Sequence, residues 1–347
     1  MQSTDAVFAA EASTGAPPVR AALVDAPGAE PHLGAVVLAP RRPGFTRLSV
    51  IAAPLNPLDL LIASGGFHSA RHESPYVPGS ECVGVVLESE RFEVGAVVYA
   101  ECHASPELPG ALAAEVVVPD DDLLVLPGEA DPILSAAVGN SGVAAYLPLI
   151  DVARLEAGET VLVLGATGSV GRLALQIAHL HGAGRVIGIA RDAEALQDLL
   201  RLGADAVVEL RHGESAESLA RRIGEVAPSV DVVLDGLYGV PLEAALQVCA
   251  PRARLVNIGN PTSATITLAA GLLRGKRITL SGFAGLHTPL RDKRPALTWL
   301  WEALRHGDLD VSVATILLEE LPAAWRAQSN SPHTKYVVVP HQKPSRK

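Results

Sequence analysis

Thr160–Leu180 reads TVLVLGATGSVGRLALQIAHL, a run of branched apolar residues, then three glycines (Gly165, Gly168 and Gly171), then apolar residues at helical spacing. The order strand, glycine turn, helix gives this pattern its meaning, because isolated glycines at such spacing are common. A tight turn demands a residue free of Cβ, the backbone must approach a phosphate closely, and the helix must pack against the strand. The unsatisfied N–H groups at the helix start then face an anion. Gly165, Ala166, Thr167, Gly168, Ser169, Val170 and Gly171 are therefore candidate ligands of a dinucleotide pyrophosphate. An ordinary glycine-rich turn is the competing reading, and the surrounding chain decides between them.

Downstream, apolar runs recur as RVIGIA, ADAVVEL, VDVVLDG, ARLVNIG and RITLSGF, with helical patterns such as GRLALQIAHLHG and LEAALQVCAP between strands. Continuous Val/Ile/Leu runs alternating with helices predict a parallel sheet covered on both faces, and six such strands a doubly wound Rossmann nucleotide fold. Upstream the texture differs. RAALVDAP, GAVVLAP, TRLSVIAAP, CVGVVLES, GAVVYAE and AAEVVVP are short β runs punctuated by turns such as RRPGF and DDDLLVLPG. They predict an antiparallel, partly closed β-domain. An apolar helix-like stretch, ILSAAVGNSGVAAYLPLI, follows residue 131, and the chain closes with the helical LTWLWEALRHG and the strand KYVVVP. The fold class is thus α/β: residues 1–19 a tail, 20–130 and 289–347 a β-rich substrate domain, and 131–288 the nucleotide-binding domain.

The second strand of the nucleotide unit ends in Ala190–Arg191, where an NAD-binding unit carries an acidic residue for the ribose. A carboxylate ~4 Å from a 2′-phosphate would cost about 4 kcal/mol at an effective dielectric near 20. Ala190 removes that penalty, and Arg191 offers a charge-assisted hydrogen bond of about 1.5–3 kcal/mol. NADPH is the expected cofactor, with Arg172 a second basic residue nearby. The other reading leaves Arg191 in solvent and gives the ribose to Asp192, a residue that more naturally caps the following helix.

Composition bounds the rest. With 347 residues, 48% of them hydrophobic, the chain can build two cores. A net charge of −10 argues against a nucleic-acid partner. No apolar run reaches the ~18 residues of a membrane span. The amino terminus lacks a secretory pattern, and three scattered cysteines, Cys82, Cys102 and Cys249, fit a reducing cytoplasm better than a disulfide framework.

The motifs NPLD at Asn56–Asp59, PGSECVGVV, NSGVAAY, VLVLGATGSVG, LVNIG and TKYVVVP, in this order, resemble the quinone-oxidoreductase and enoyl-reductase branch of the medium-chain dehydrogenases/reductases. The resemblance covers nearly everything from Arg20 to Pro340. It implies a GroES-like β-domain, a Rossmann domain, a cleft between them and a homodimer. Zinc relatives carry a Cys where Asn56 stands and a His where Ser80 stands, and Asn140 falls near the third ligand. Asn and Ser are poor zinc donors, so the resemblance implies a zinc-free enzyme.

Without a Lewis acid, a simple alkoxide has little to stabilise it, whereas hydride addition to a conjugated double bond spreads the developing charge into an enolate. The expected reaction is therefore NADPH-dependent reduction of an α,β-unsaturated carbonyl or a quinone, a small molecule. Related enoyl reductases place a tyrosine proton donor where this chain has Phe67; His68, His72 and Tyr76 lie on the same loop as substitutes. By resemblance Asn56 and Asp59 line the cleft near the nicotinamide, and Asn140 and Ser141 touch cofactor or substrate. Asp235 and Gly239 flank the ribose, and Gly259, Asn260, Ser281, Gly282 and Phe283 border the nicotinamide. Lys335 either reaches the cofactor or caps a strand edge, and Glu81 reads as structural. Two further readings stay open: a secondary-metabolite tailoring reductase that closes a ring on a polyene or polyketide, and an NADPH-binding protein without turnover.

Overall fold

The computed structural model describes residues 17–66, 75–104 and 108–341. By contact the chain divides into two units, residues 1–140 with 290–294 and 298–347, and residues 141–289 with 295–297.

In the first unit, β1 (Val19–Leu23) and β2 (His32–Val36) form an antiparallel pair. The ten-residue β3 (Phe45–Pro54) alternates buried and half-buried positions along most of its length, the period-two signature of a strand with one face in the core. α1 (Pro57–Ala63) begins on a proline that needs no intrahelical donor. β4 (Glu81–Glu88), β5 (Val97–Glu101), β6 (Glu115–Pro119), β7 (Leu123–Val125) and the short α2 (Pro132–Ala137) follow.

In the second unit, α3 (Gly139–Leu147), whose first two residues belong to the first unit, runs into a π-helical turn over Pro148–Val152. Next come β8 (Thr160–Leu164), α4 (Ser169–Leu180), β9 (Arg185–Ala190), α5 (Ala193–Arg201), β10 (Ala206–Glu209) and α6 (Ala216–Val226). β11 (Val230–Asp235), α7 (Val240–Val248), β12 (Cys249–Asn257), α8 (Ala270–Lys276) and β13 (Thr279–Gly282) complete the set. All six strands are parallel, in the order β10-β9-β8-β11-β12-β13. That order is the doubly wound arrangement, with its reversal between β8 and β11. β8, β9 and β11 are buried nearly throughout, which is why they read as continuous apolar runs.

The chain then passes through α9 (Leu290–His306) and back to the first unit with β14 (Val313–Leu317), α10 (Leu321–Gln328) and β15 (Lys335–Val339). Its main sheet runs β14-β15-β3-β4-β5-β7, with β6 paired to the other end of β3. Strands far apart in sequence thereby become neighbours.

Four local expectations change. DDDLLVLPG is more than a loop, since Leu123–Val125 pair with β5. The helical pattern LEAALQVCAP stops at Val248, and Cys249 already starts β12, whose pairing with β11 shifts register between Val230 and Val232. β14 and α10 gave no sequence signal: β14 is half-exposed along most of its length, and α10 is only eight residues long. Finally, two free cysteines that are remote in sequence meet, the buried Cys102 thiol being hydrogen-bonded to Cys82, which together with burial raises its pKa.

Candidate functional site

The second unit's candidates gather on one edge of its sheet, the carboxyl ends of the strands. Gly165 leaves β8 with φ +85°, and its N–H and that of Ala166 both donate to the Ile189 carbonyl at 2.9 Å. A Cβ on Gly171 would lie 2.5 Å from the Gly165 carbonyl oxygen and 2.6 Å from the Ala166 Cα, so α4 packs onto the loop only as glycine. Gly168 is different: its φ is −74°, and a Cβ there would meet only the Gly165 oxygen at 3.5 Å. The space beside Gly168 is open. Gly168 caps α4 with no side-chain hydrogen bond, so the first-turn N–H groups at Ser169, Val170 and Gly171 are available to an anion. Ala166 and Thr167 are buried beneath the turn. The residues fit a dinucleotide pyrophosphate.

β9 ends in buried Ala190 and exposed Arg191. Asp192 Oδ1 accepts the N–H groups of Glu194 and Ala195 at 3.0 and 2.9 Å, so this carboxylate is engaged as the cap of α5. At the end of β11, Asp235 is fully buried and burial raises its carboxyl pKa. It accepts from Leu237 N, Tyr238 N and Asn257 Nδ2 at 3.0, 2.8 and 2.7 Å. Asp235, expected to flank a ribose, shapes the Leu237–Tyr238 turn ahead of Gly239 with its carboxylate. Asn257 Nδ2 also reaches the Gly259 carbonyl at 2.7 Å, and Phe283 N donates to the Asn257 carbonyl at 2.9 Å. Asn257 thus joins the ends of β11, β12 and β13, with Gly259, exposed Asn260, exposed Gly282 and Phe283 around it. Asn257 was not among the expected site residues, although LVNIG displays a polar residue at the tip of an apolar strand.

Asn140 and Lys335, expected among the cofactor ligands, lie in the first unit and belong to a different cluster centred on Glu81. Asn56, wholly buried, donates from Nδ2 to Glu81 Oε1 at 2.8 Å and to Ser80 Oγ at 3.3 Å. Its Oδ1 accepts from the buried Lys335 ammonium. Glu81 Oε2 accepts from the Tyr99 hydroxyl at 2.7 Å and from Asn140 N–H at 2.6 Å. A Cβ on Gly139 would sit 2.1 Å from that oxygen, so only glycine lets the carboxylate reach the first turn of α3. Asn56, expected to line a cleft, has its amide hydrogen-bonded on both sides, to Glu81 and Ser80 through Nδ2 and to Lys335 through Oδ1.

Asp59 accepts the Asn56 N–H at 2.7 Å, the acidic half of a helix-capping arrangement. Burial pushes its carboxyl up to about 6; bonds from Asn56 and Ser80 pull the other way, Glu81 adds to the rise and Lys335 opposes it. Burial lowers the Lys335 ammonium, with Glu81 and Asp59 opposing. Tyr76 is buried, and its phenol is raised by burial and by the charge of Asp59. Phe67, His68 and His72 lie outside the described residues.

Asn56 and Ser80, at metal-ligand positions of zinc relatives, and Asn140, near the third, therefore meet around Glu81. They present an amide, a hydroxyl and a backbone N–H, with an ammonium beside them. That donor set does not fit zinc, which takes thiolate, imidazole or carboxylate ligands. Among the described residues no group of three or more His, Cys, Asp or Glu side chains is placed to hold a metal ion.

Residues 42–128 match the family model for an alcohol dehydrogenase GroES-like domain, and residues 169–302 that for a zinc-binding dehydrogenase. Over 217 residues the chain is 31% identical to a quinone oxidoreductase of Pongo abelii, covering 61% of this chain and 64% of that one, a little under two thirds of its length. It is 30% identical over 298 residues to a component of the phenolphthiocerol/phthiocerol polyketide synthase of Mycobacterium tuberculosis, covering 84% of this chain and 13% of that much longer polypeptide. A mycobacterial protein solved in complex with NADPH superposes with a TM-score of 0.79 at 24% identity, over 93% of this chain and all of that one.

Proposed function

The chain belongs to the medium-chain dehydrogenase/reductase superfamily, and on that premise we propose that it is a zinc-independent, NADPH-dependent reductase of quinones or conjugated carbonyl compounds. The observation that carries the reading is the pairing of Asn56, at a zinc-ligand position of relatives, with Lys335 and Glu81, which puts a hydrogen-bonded amide where a metal ligand would stand. The family resemblance to quinone oxidoreductases supports the substrate class.

Gly168 and the first turn of α4 would hold the pyrophosphate, and Arg191 the 2′-phosphate, with Asp192 engaged as the cap of α5. The NADPH-bound neighbour supports that choice of cofactor. Bound NADPH supplies a hydride; the chain's own part is to orient and to manage protons. Tyr76, whose phenol keeps its proton at neutral pH, and Asp59, which with a pKa near 6 is mostly ionised there, are the groups we assign to proton handling in a chain that has Phe67 in place of the expected tyrosine. Delivery of hydride to a conjugated acceptor needs no metal because the charge spreads over the acceptor itself.

The polyketide-synthase match favours a second reading, reduction of a conjugated polyketide-like substrate in secondary metabolism. We place the protein in the cytoplasm as a homodimer; no described helix is long and apolar enough to cross a membrane. Cofactor oxidation against a panel of quinones, small enones and polyketide-like enoyl thioesters tests the proposal. Turnover of quinones or small enones supports the first reading, and turnover of thioesters alone the second. Tight NADPH binding without oxidation by any acceptor would leave a non-catalytic binding protein.

A further inference from the structure

Glu81 and Glu101 face each other directly across the antiparallel ladder of β4 and β5. Like charges in that position are unfavourable, so each carboxylate needs its own donors. Glu81 Oε2 takes the N–H of Asn140 at 2.6 Å, and the division between the two units falls between Asn140 and Ser141. Glu101 Oε1 takes the Lys293 ammonium at 2.6 Å in a pair that is almost wholly buried. Lys293 lies in the stretch of α9 where the chain passes back, with Pro295 two residues on. The two places where the chain crosses are thus both held, on the first unit's side, by facing carboxylates of one ladder. Tyr99, two residues before Glu101 on the same strand face, has its hydroxyl on Glu81 and its ring edge-on to Trp301 of α9, centroids 5.8 Å apart.

We propose that Glu81 and Glu101 form one anchor that tethers both chain crossings to the first unit, with Lys293 as its releasable latch and Tyr99 as its brace. All four are positioning residues. The groups facing Glu101 are Lys293 from α9, Glu81 from β4, Asp122 from the turn before β7, and Tyr99 on its own strand; His103 lies 3.7 Å from Asp122. Burial pushes Glu101 up to about 7, with Lys293 opposing. Above that pH the pair is ionised and the latch closed; below it Glu101 takes a proton and the pairing weakens.

Hydrogen exchange read by mass spectrometry tests the anchor in the full chain without any substrate. At pH 8, Glu101→Gln should speed exchange of the α9 amides at least tenfold while β4 and β6 stay within twofold. In the wild type, α9 exchange corrected for its intrinsic pH dependence should rise as pH falls from 8 to 6. The double variant Glu101→Leu/Lys293→Met leaves no buried unpaired charge and should abolish that pH dependence, which keeps the test open if Glu101→Gln does not fold. Unchanged exchange in α9, or an equal rise throughout the β-domain, overturns the proposal. A second arm rests on the reductase reading: Glu101→Gln should keep the NADPH Kd within twofold while kcat falls about tenfold. A loss of NADPH affinity equal to the loss of kcat counts against a positioning role, whereas a protein with no turnover defeats only the reductase reading.

Discussion

The ammonium of Lys335 is hydrogen-bonded to the side-chain carbonyl of Asn56, 279 residues earlier in the chain, while the amide nitrogen of that same Asn56 donates to Glu81. One neutral amide thus bridges a buried cation and a buried carboxylate, and its orientation is fixed by both. Lys335→Met should therefore destabilise by about 3–5 kcal/mol, the usual cost of leaving a buried charge without its partner. Lys335→Met/Glu81→Gln removes charge of both signs and should recover at least half of the loss. Urea unfolding of the two single variants and the double variant measures the coupling; strictly additive losses would dissolve the network.

The acid of this cluster has a sign that stability measurements can read. Asp59 has its pKa raised from 3.8 to about 6, chiefly by burial. The folded protein therefore binds the proton more tightly than the unfolded chain. This contribution is fully present below about pH 4 and is lost as pH rises through 6. Asp59→Asn keeps an acceptor for the Asn56 N–H and removes the charge, so it should be the more stable protein above pH 7, by up to about 3 kcal/mol. The advantage should vanish near pH 4. A difference in unfolding free energy that stays constant from pH 4 to 8 would mean Asp59 does not titrate as described.

Two glycines of one loop separate folding from binding. At Gly171 a Cβ collides with backbone at 2.5 Å, so Gly171→Ala should lower Tm whether or not cofactor is present. At Gly168 the backbone is ordinary and the space open, so Gly168→Val should fold with a near-native Tm. It should lose affinity for NADPH and NADH alike, at least tenfold, because the side chain takes the place of the pyrophosphate. Calorimetric titration of both cofactors into a folded Gly168→Val checks this, and unchanged affinities would move the phosphate elsewhere.

The purified protein should carry no stoichiometric zinc and should keep its turnover after dialysis against a chelator, since an amide and a hydroxyl stand at the ligand positions. Elemental analysis giving one zinc per chain, with activity lost on its removal, refutes the zinc-free reading.

What the sequence displayed and what it hid follow from burial and distance. β8, β9 and β11 were legible because strands buried on both faces must be apolar at every position. β7 and β14 were not, because a three-residue strand and a half-exposed edge strand carry no periodic signature. The anion loop was legible because its chemistry is local, within Gly165–Gly171. The Glu81 cluster was not, because its members meet only through sheet order: β15 lies beside β3 and β3 beside β4, which brings Lys335 to Asn56 and Asn56 to Glu81. NPLD and PGSE drew the eye to Asn56, Asp59, Ser80 and Glu81, yet nothing in either motif announces a lysine at the far end of the chain. Asp235 was legible as a strand-end residue, but its bonds to Leu237, Tyr238 and Asn257 were not, because spacing alone does not disclose a buried side chain's partners.

Arg191 carries the sharpest quantitative expectation. It is exposed just past the end of β9, next to an alanine where an acidic residue would exclude a 2′-phosphate, and Asp192 is engaged as the cap of α5. Pairing of its guanidinium with the phosphate is worth about 1.5–3 kcal/mol, so Arg191→Ala should weaken NADPH roughly ten- to a hundredfold. NADH has no phosphate at that place and its affinity should change less than twofold. Because the pair is open to solvent, the NADPH loss should shrink as ionic strength rises, over a Debye length of ~8–10 Å at moderate salt. Arg191→Glu should be worse than Arg191→Ala for NADPH alone, since it returns an acidic group to the phosphate's neighbourhood. Arg172, partly exposed at the start of α4, shares the same end of the sheet, and the double variant Arg191→Ala/Arg172→Ala measures how much it contributes. Titrating both cofactors into wild type and these variants at two salt concentrations decides the matter: equal losses for NADH and NADPH would mean that Arg191 does not read the phosphate.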